Sequence, residues 1–138
     1  MSTETTDDIN EAIAIFDEWQ FLKGDPSHKC NFCFAGDEPC TPAVDRFVKG
    51  GRIVFHYDLK YHASWEWLMP VVEKIESLEN IRFGFTIDVL HVIVTDYKGK
   101  GVEIIWVHKF PDNGDTKLSM TYDAVHQFIQ WYNQNKNL

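Results

Sequence analysis

The run Tyr61-His-Ala-Ser-Trp-Glu-Trp-Leu-Met-Pro-Val-Val-Glu-Lys-Ile-Glu-Ser-Leu78 constrains the fold more than any other stretch, because it is the longest strongly periodic segment. Trp65, Leu68, Val72 and Ile75 recur at helical spacing, and Met69 and Leu78 widen them into an apolar band. Glu66, Pro70, Glu73 and Ser77 recur on the opposite face. A helix with so broad an apolar band must bury it, so the rest of the chain has to supply a covering surface. The helix is expected to start near Ser64, whose hydroxyl can accept from free backbone N–H groups. Pro70 lacks an N–H and clashes with the carbonyl four residues back. Either the helix bends at Pro70, which keeps the apolar spacing in phase, or it starts there after a turn carrying Trp65 and Trp67. Both tryptophans read first as core packing, with a ligand platform as the sharper alternative.

The covering surface is legible downstream. Ile81, Phe83, Phe85 and Ile87 alternate with Arg82, Gly84, Thr86 and Asp88, as in a half-buried strand. Val89–Tyr97 and Val102–Phe110 are rich in β-formers and joined by Lys98-Gly-Lys-Gly101, which reads as a hairpin. Apolar residues fall on both faces of that hairpin, so its centre should be covered on both sides, at least in part. Upstream, Arg52–Tyr57 reads as a strand and Val44–Val48 as a short turn or strand. Thr6 or Asp7 can cap a first helix over Asp8–Lys23, with Ile9, Ala12, Ile13, Phe16 and Trp19 inward and Glu11 and Glu18 wet. Ser119 or Thr121 opens a last helix with two apolar rows, Tyr122, Val125, Ile129 and Tyr132 beside Phe128 and Trp131. The expected fold is a single α+β domain over residues 1–138. Its antiparallel sheet, a three-strand meander plus one additional strand, is packed with three helices and a long irregular cysteine-containing loop.

A chain of 138 residues can bury a core of this kind, and an aromatic content of 14% excludes a disordered one. No apolar run approaches the roughly 20 residues needed to span a bilayer. The N-terminus is acidic and lacks the features of a signal peptide, and three cysteines without an export signal point to a reducing cytoplasm. A net charge of −8 argues against nucleic acid as a partner, since phosphate binding is dominated by Lys and Arg. The surplus is concentrated. Residues 1–18 hold Glu4, Asp7, Asp8, Glu11, Asp17 and Glu18 with no Lys or Arg. A solvated helix face is the ordinary explanation, and an acidic surface for a basic partner is the sharper one.

Chemistry concentrates in residues 24–50, an irregular stretch of a length that is usually functional or internally stapled. Cys30 and Cys33 have the spacing that lets two thiolates bind one zinc from a single turn, with Cys40 as third ligand and His28, or His56 or His62 in its place, as fourth. Free thiols and a redox pair or disulfide are the competing readings. A zinc here would be structural, because the ligand set leaves no open position. His56, Asp58 and His62 cluster near the start of the central helix, where a base–carboxylate pairing is conceivable but no nucleophile motif accompanies it. Lys49-Gly-Gly-Arg52 matches neither a P-loop nor a dinucleotide fingerprint and reads as a turn.

The run Tyr61–Leu78, with its Tyr-His-x-Ser-Trp-x-Trp-Leu-Met-Pro-Val-Val-Glu-Lys-Ile core, resembles a family of small uncharacterised bacteriophage and prophage proteins. The tail Val125-His-Gln-Phe-Ile-Gln-Trp-Tyr-Asn133 is similar to the helix on which members of that family end, whereas the cysteine loop is no part of the pattern. The resemblance implies a phage origin, a host bacterial cytoplasm and no established activity. It favours a non-enzymatic accessory factor that binds a host protein, including a counter-defence inhibitor. Asp7, Asp8 and Glu11 would supply its acidic surface. A small-ligand binder for a nucleotide-like molecule would instead use Trp65 or Trp67, and an enzyme would use His56 and His62. A homodimer is compatible with an aromatic-rich chain of this size.

Overall fold

The computed structural model describes residues 5–24, 44–79, 81–88, 91–97, 102–109 and 116–135. They belong to two compact units, Thr5–Leu59 and Lys60–Leu138. Three α-helices and two three-stranded antiparallel sheets make up these residues, which is an α+β composition.

In the first unit, helix α1 (Thr6–Phe16) starts on a reciprocal cap. The Thr5 hydroxyl accepts from the Asp8 N–H and the Asp8 carboxylate accepts from the Thr5 N–H, both at 3.1 Å. The cap is therefore Thr5, ahead of the expected Thr6 or Asp7. The helix also stops at Phe16 rather than running on to Lys23. Glu18 adopts a left-handed backbone (φ 68°), its N–H donating to the Ile15 carbonyl while the Trp19 N–H donates to that of Ala14. These two bonds form the C-terminal lock usually built on glycine. With glutamate in that position no residue type announces it. The inward face is Asn10, Ile13 and Ala14, and the Asn10 amide donates to the Leu59 carbonyl at 3.2 Å.

Released from the helix, Gln20–Leu22 becomes strand β1 and pairs with β2 (Arg46–Lys49), which pairs with β3 (Arg52–Phe55). The β2–β3 link is Gly50-Gly51, with φ of 56° and 78°, between the register partners Lys49 and Arg52. Two consecutive left-handed residues are what a two-residue hairpin of matching twist demands, and two glycines meet that demand at no steric cost. Phe47 is fully buried, its ring 5.3 Å from that of Phe21. Beyond Phe55 the expected strand tightens into a 3-10 turn, His56–Asp58. The strands thus form two sheets rather than one of four, because β1 was hidden inside a predicted helix.

In the second unit, helix α2 (Trp65–Ser77) runs through Pro70. The missing N–H would have met the carbonyl of Glu66, and both residues are on the exposed side where water can serve that carbonyl. Ser64 is the N-cap residue, but its hydroxyl makes no capping bond; its carbonyl takes the N–H groups of Trp67 and Leu68. The buried row is Leu68, Val71, Val72 and Ile75, and Trp65 lies outside it at 38% exposure.

Strands β4 (Phe83–Ile87), β5 (His91–Asp96) and β6 (Glu103–Lys109) form the expected meander, with β5 central. Helix α3 (Lys117–Asn135) packs on β5 and β6 and α2 packs on β4. Phe83, Val92, Val94 and Asp96 form the sealed row beneath them, and Ile93, Thr95 and Val107 on the other face are half-buried. Phe83 is the hub: its ring stands edge-on to Phe128 at 4.8 Å, Trp131 at 5.8 Å and Tyr132 at 6.0 Å. Helix α3 opens at Thr116, not Ser119 or Thr121. The Thr116 hydroxyl accepts from the Ser119 N–H at 3.1 Å and the Ser119 hydroxyl from the Thr116 N–H at 2.8 Å. Thr121 is instead buried, its hydroxyl donating to the Lys117 carbonyl at 2.7 Å. With His126 also buried, α3 is enclosed around more of its circumference than its two apolar rows indicate. Among the described residues no helix is long and apolar enough to cross a membrane.

Candidate functional site

The first unit draws four of the sequence-singled residues together. Asp7 and Asp8 sit in the first turn of α1, Glu11 one turn further, and His56 opens the 3-10 turn after β3. His56 is carried there by the backbone, its N–H donating to the Asp45 carbonyl at 3.1 Å. Asp45 is fixed in turn, its carboxylate accepting from the Gly24 N–H at 2.7 Å. The His56 ring then stands with Nδ1 3.9 Å from Glu11 Oε1, a charge contact too long for a hydrogen bond. Its neighbouring carboxylate is on α1 rather than at Asp58, which is exposed.

Within this cluster the Glu11 side chain is partly buried. Partial burial raises its pKa above the ordinary carboxylate value; His56 lowers it, and Asp8, Asp7 and Asp45 raise it further. A carboxylate surrounded by three others and opposed by one imidazole makes a local excess of negative charge. One turn beyond Glu11 on the same helix side, Ile15 is 62% exposed. The surface is an acidic rim beside an apolar residue, a composition suited to binding a basic group. Among the described residues no group of three or more His, Cys, Asp or Glu side chains is arranged to hold a metal.

Trp65, Trp67 and His62 belong to the second unit. Trp67 packs edge-on against Tyr61, itself fully buried, at 5.3 Å, and the His62 ring lies 6.2 Å from that of Tyr122. Trp67 is thus engaged as core, while Trp65 keeps an exposed edge. His28, Cys30, Cys33 and Cys40 lie outside the described residues.

Two features of the second unit were not foreseen. Arg82, expected on the wet face of its strand, donates from Nε and Nη2 to the two oxygens of Asp96 at 2.8 Å each, and from Nη1 to Glu79 at 2.9 Å. Beside it Ile81, expected inside, is 74% exposed and left-handed (φ 65°), a backbone that a β-branched residue rarely adopts. Tyr97, Val102 and Ile104 are also exposed at this end of the sheet, at 49%, 65% and 59%. The Tyr97 N–H donates to the Arg82 carbonyl at 2.8 Å, and its ring lies over Gly84, where a Cβ would come within 2.9 Å of it. In sequence these residues are ordinary β-formers, and alternation alone assigned Ile81 to the core. Comparison of the chain with protein-family models, curated proteins and solved structures returned no match.

Proposed function

We propose that the chain is a small, non-enzymatic accessory factor that binds a host protein, and that the acidic face of α1 is its binding surface. The observation that carries this reading is Glu11, held partly buried among Asp7, Asp8 and Asp45 and opposed, among the described residues, by His56, beside exposed Ile15. Folding for its own sake would disperse those charges; concentrating them gains a steered encounter with a basic partner. The phage-type setting implied by the Tyr61–Leu78 run makes a bacterial host protein, including one of antiviral defence, the fitting partner, in the host cytoplasm. Charge reversal of Asp7, Asp8 and Glu11 to lysine is expected to weaken binding to a partner captured from host lysate by at least about tenfold, mostly through slower association. Unchanged affinity in the triple variant would refute the acidic-face reading.

Within the same proposal, the cysteine loop is a closed structural zinc site of His28, Cys30, Cys33 and Cys40. The support is the two-residue gap between Cys30 and Cys33, which suits one tetrahedral ion held from a single turn. Native mass spectrometry of chelator-free protein should find one zinc per chain, lost in Cys30→Ser and Cys33→Ser; a bare mass would remove the metal from the account.

A further inference from the structure

We propose, resting on the acidic-face reading, that Asp45 is the positioning residue of that face, its side chain setting where His56 stands against Glu11. The last register pair of β1 and β2 is Leu22 with Arg46, so the ladder has run out by Gly24 and Asp45. There the Asp45 carboxylate takes over, accepting from the Gly24 N–H at 2.7 Å, a short charge-assisted bond. The last register pair of β2 and β3 is Arg46 with Phe55, and one residue beyond it the His56 N–H donates to the Asp45 carbonyl at 3.1 Å. Asp45 therefore ties the end of β1 to the turn after β3. Its side chain holds Gly24, and its carbonyl, carried on the same residue, holds His56. At 3.9 Å the His56 ring has no hydrogen bond to Glu11, so its place follows from the backbone that carries it.

The charge of Asp45 is a second, separable contribution. An asparagine oxygen would accept from Gly24 as well, so the bond alone does not call for an acid. Half-buried Asp45 also has no ion pair among the described residues. Its charge is felt at Glu11. Burial raises the Glu11 pKa most and His56 lowers it, while Asp8, Asp7 and Asp45 add to the rise. An acid set without a cation near three others opposes folding, and what it adds is negative field at the α1 face. Asp45 thus serves that face once by its bond and once by its charge.

Asp45→Ala and Asp45→Asn separate the two, since both lose the charge and only alanine loses the acceptor for Gly24. Each full chain is checked for folding by circular dichroism, then followed by amide hydrogen exchange and by NMR titration with a tetralysine peptide. In Asp45→Ala the Gly24 and His56 amides should exchange at least about tenfold faster than in the wild type. The Trp19 amide, bonded to the Ala14 carbonyl, should keep its rate, and Asp45→Asn should keep all three slow. Tetralysine should shift the Asp7, Asp8 and Glu11 amides. It should bind Asp45→Ala at least about threefold more weakly than Asp45→Asn, although the two variants carry the same charge. Gly24→Pro removes the same bond from the donor side and should release His56 alike, which keeps the test intact if the alanine variant does not fold. A His56 amide that keeps its rate in folded Asp45→Ala or Gly24→Pro overturns the inference, as does equal tetralysine affinity in the two Asp45 variants. A wild-type chain whose α1 amides ignore tetralysine is instead the failure of the acidic-face reading, and the His56 exchange rate still decides the role of Asp45.

Discussion

Asp96→Ala should cost about 2–3 kcal/mol of folding stability, the cost of taking a charge-assisted, two-bond acceptor from a partly buried guanidinium. Asp96 is 4% exposed and receives both Nε and Nη2 of Arg82 at 2.8 Å, so its removal strips the guanidinium of its two-bond acceptor. A lysine there could respond by losing its proton; an arginine cannot. Asp96 indeed holds the Arg82 proton more firmly than usual, chiefly through the side-chain hydrogen bond. Glu79 remains, but it is half-exposed and meets a single nitrogen. Glu79→Ala accordingly should cost less than about 1 kcal/mol, in the range of surface pairs. Urea denaturation of the two variants decides the matter. Comparable losses would mean that the Arg82–Asp96 contact is no stronger than a surface ion pair.

The second large effect lies next to the first. Phe83→Ala should cost about 3–5 kcal/mol, combining lost burial with the cavity left among rings that cannot all collapse inward. Phe83 meets Phe128, Trp131 and Tyr132 on one side, and the Arg82 guanidinium lies 4.8 Å from its centroid. Because Arg82 touches both Phe83 and Asp96, the two substitutions should not add. A double-mutant cycle should give a coupling of about 0.5–3 kcal/mol, with the double variant less damaged than the sum. The near-ultraviolet dichroism of the aromatic cluster should fall in Phe83→Ala even where the variant remains folded. Additive losses would mean that Arg82 is held independently of the ring beneath it.

Most elements were legible in the sequence, for an identifiable reason. The meander, α2 and α3 each carry a strong period of hydrophobicity, and that period is the imprint of one face turned inward. The turn at Gly50-Gly51 was legible because glycine reports a need for left-handed backbone. The end of α1 was not, since Glu18 meets the same need without glycine. Extending the helix through Lys23 then concealed β1, and with it the first sheet. Ile81 misled in the same way, an apolar residue in phase with a strand but turned outward by its own left-handed φ. As for the candidate site, charge counting found Asp7, Asp8 and Glu11, but nothing in the spacing pairs Glu11 with His56, a residue well downstream.

The sequence by itself determined the α+β composition, the registerable alternation of the meander and the acidic start of α1, all properties of neighbouring residues and their periods. Only the tertiary structure decided that Arg82 meets Asp96, that Glu11 faces His56 and that β6 lies at the edge of its sheet. Those outcomes depend on which backbone segments come to lie side by side, and a charge or a strand edge acquires its partner only after that placement is made.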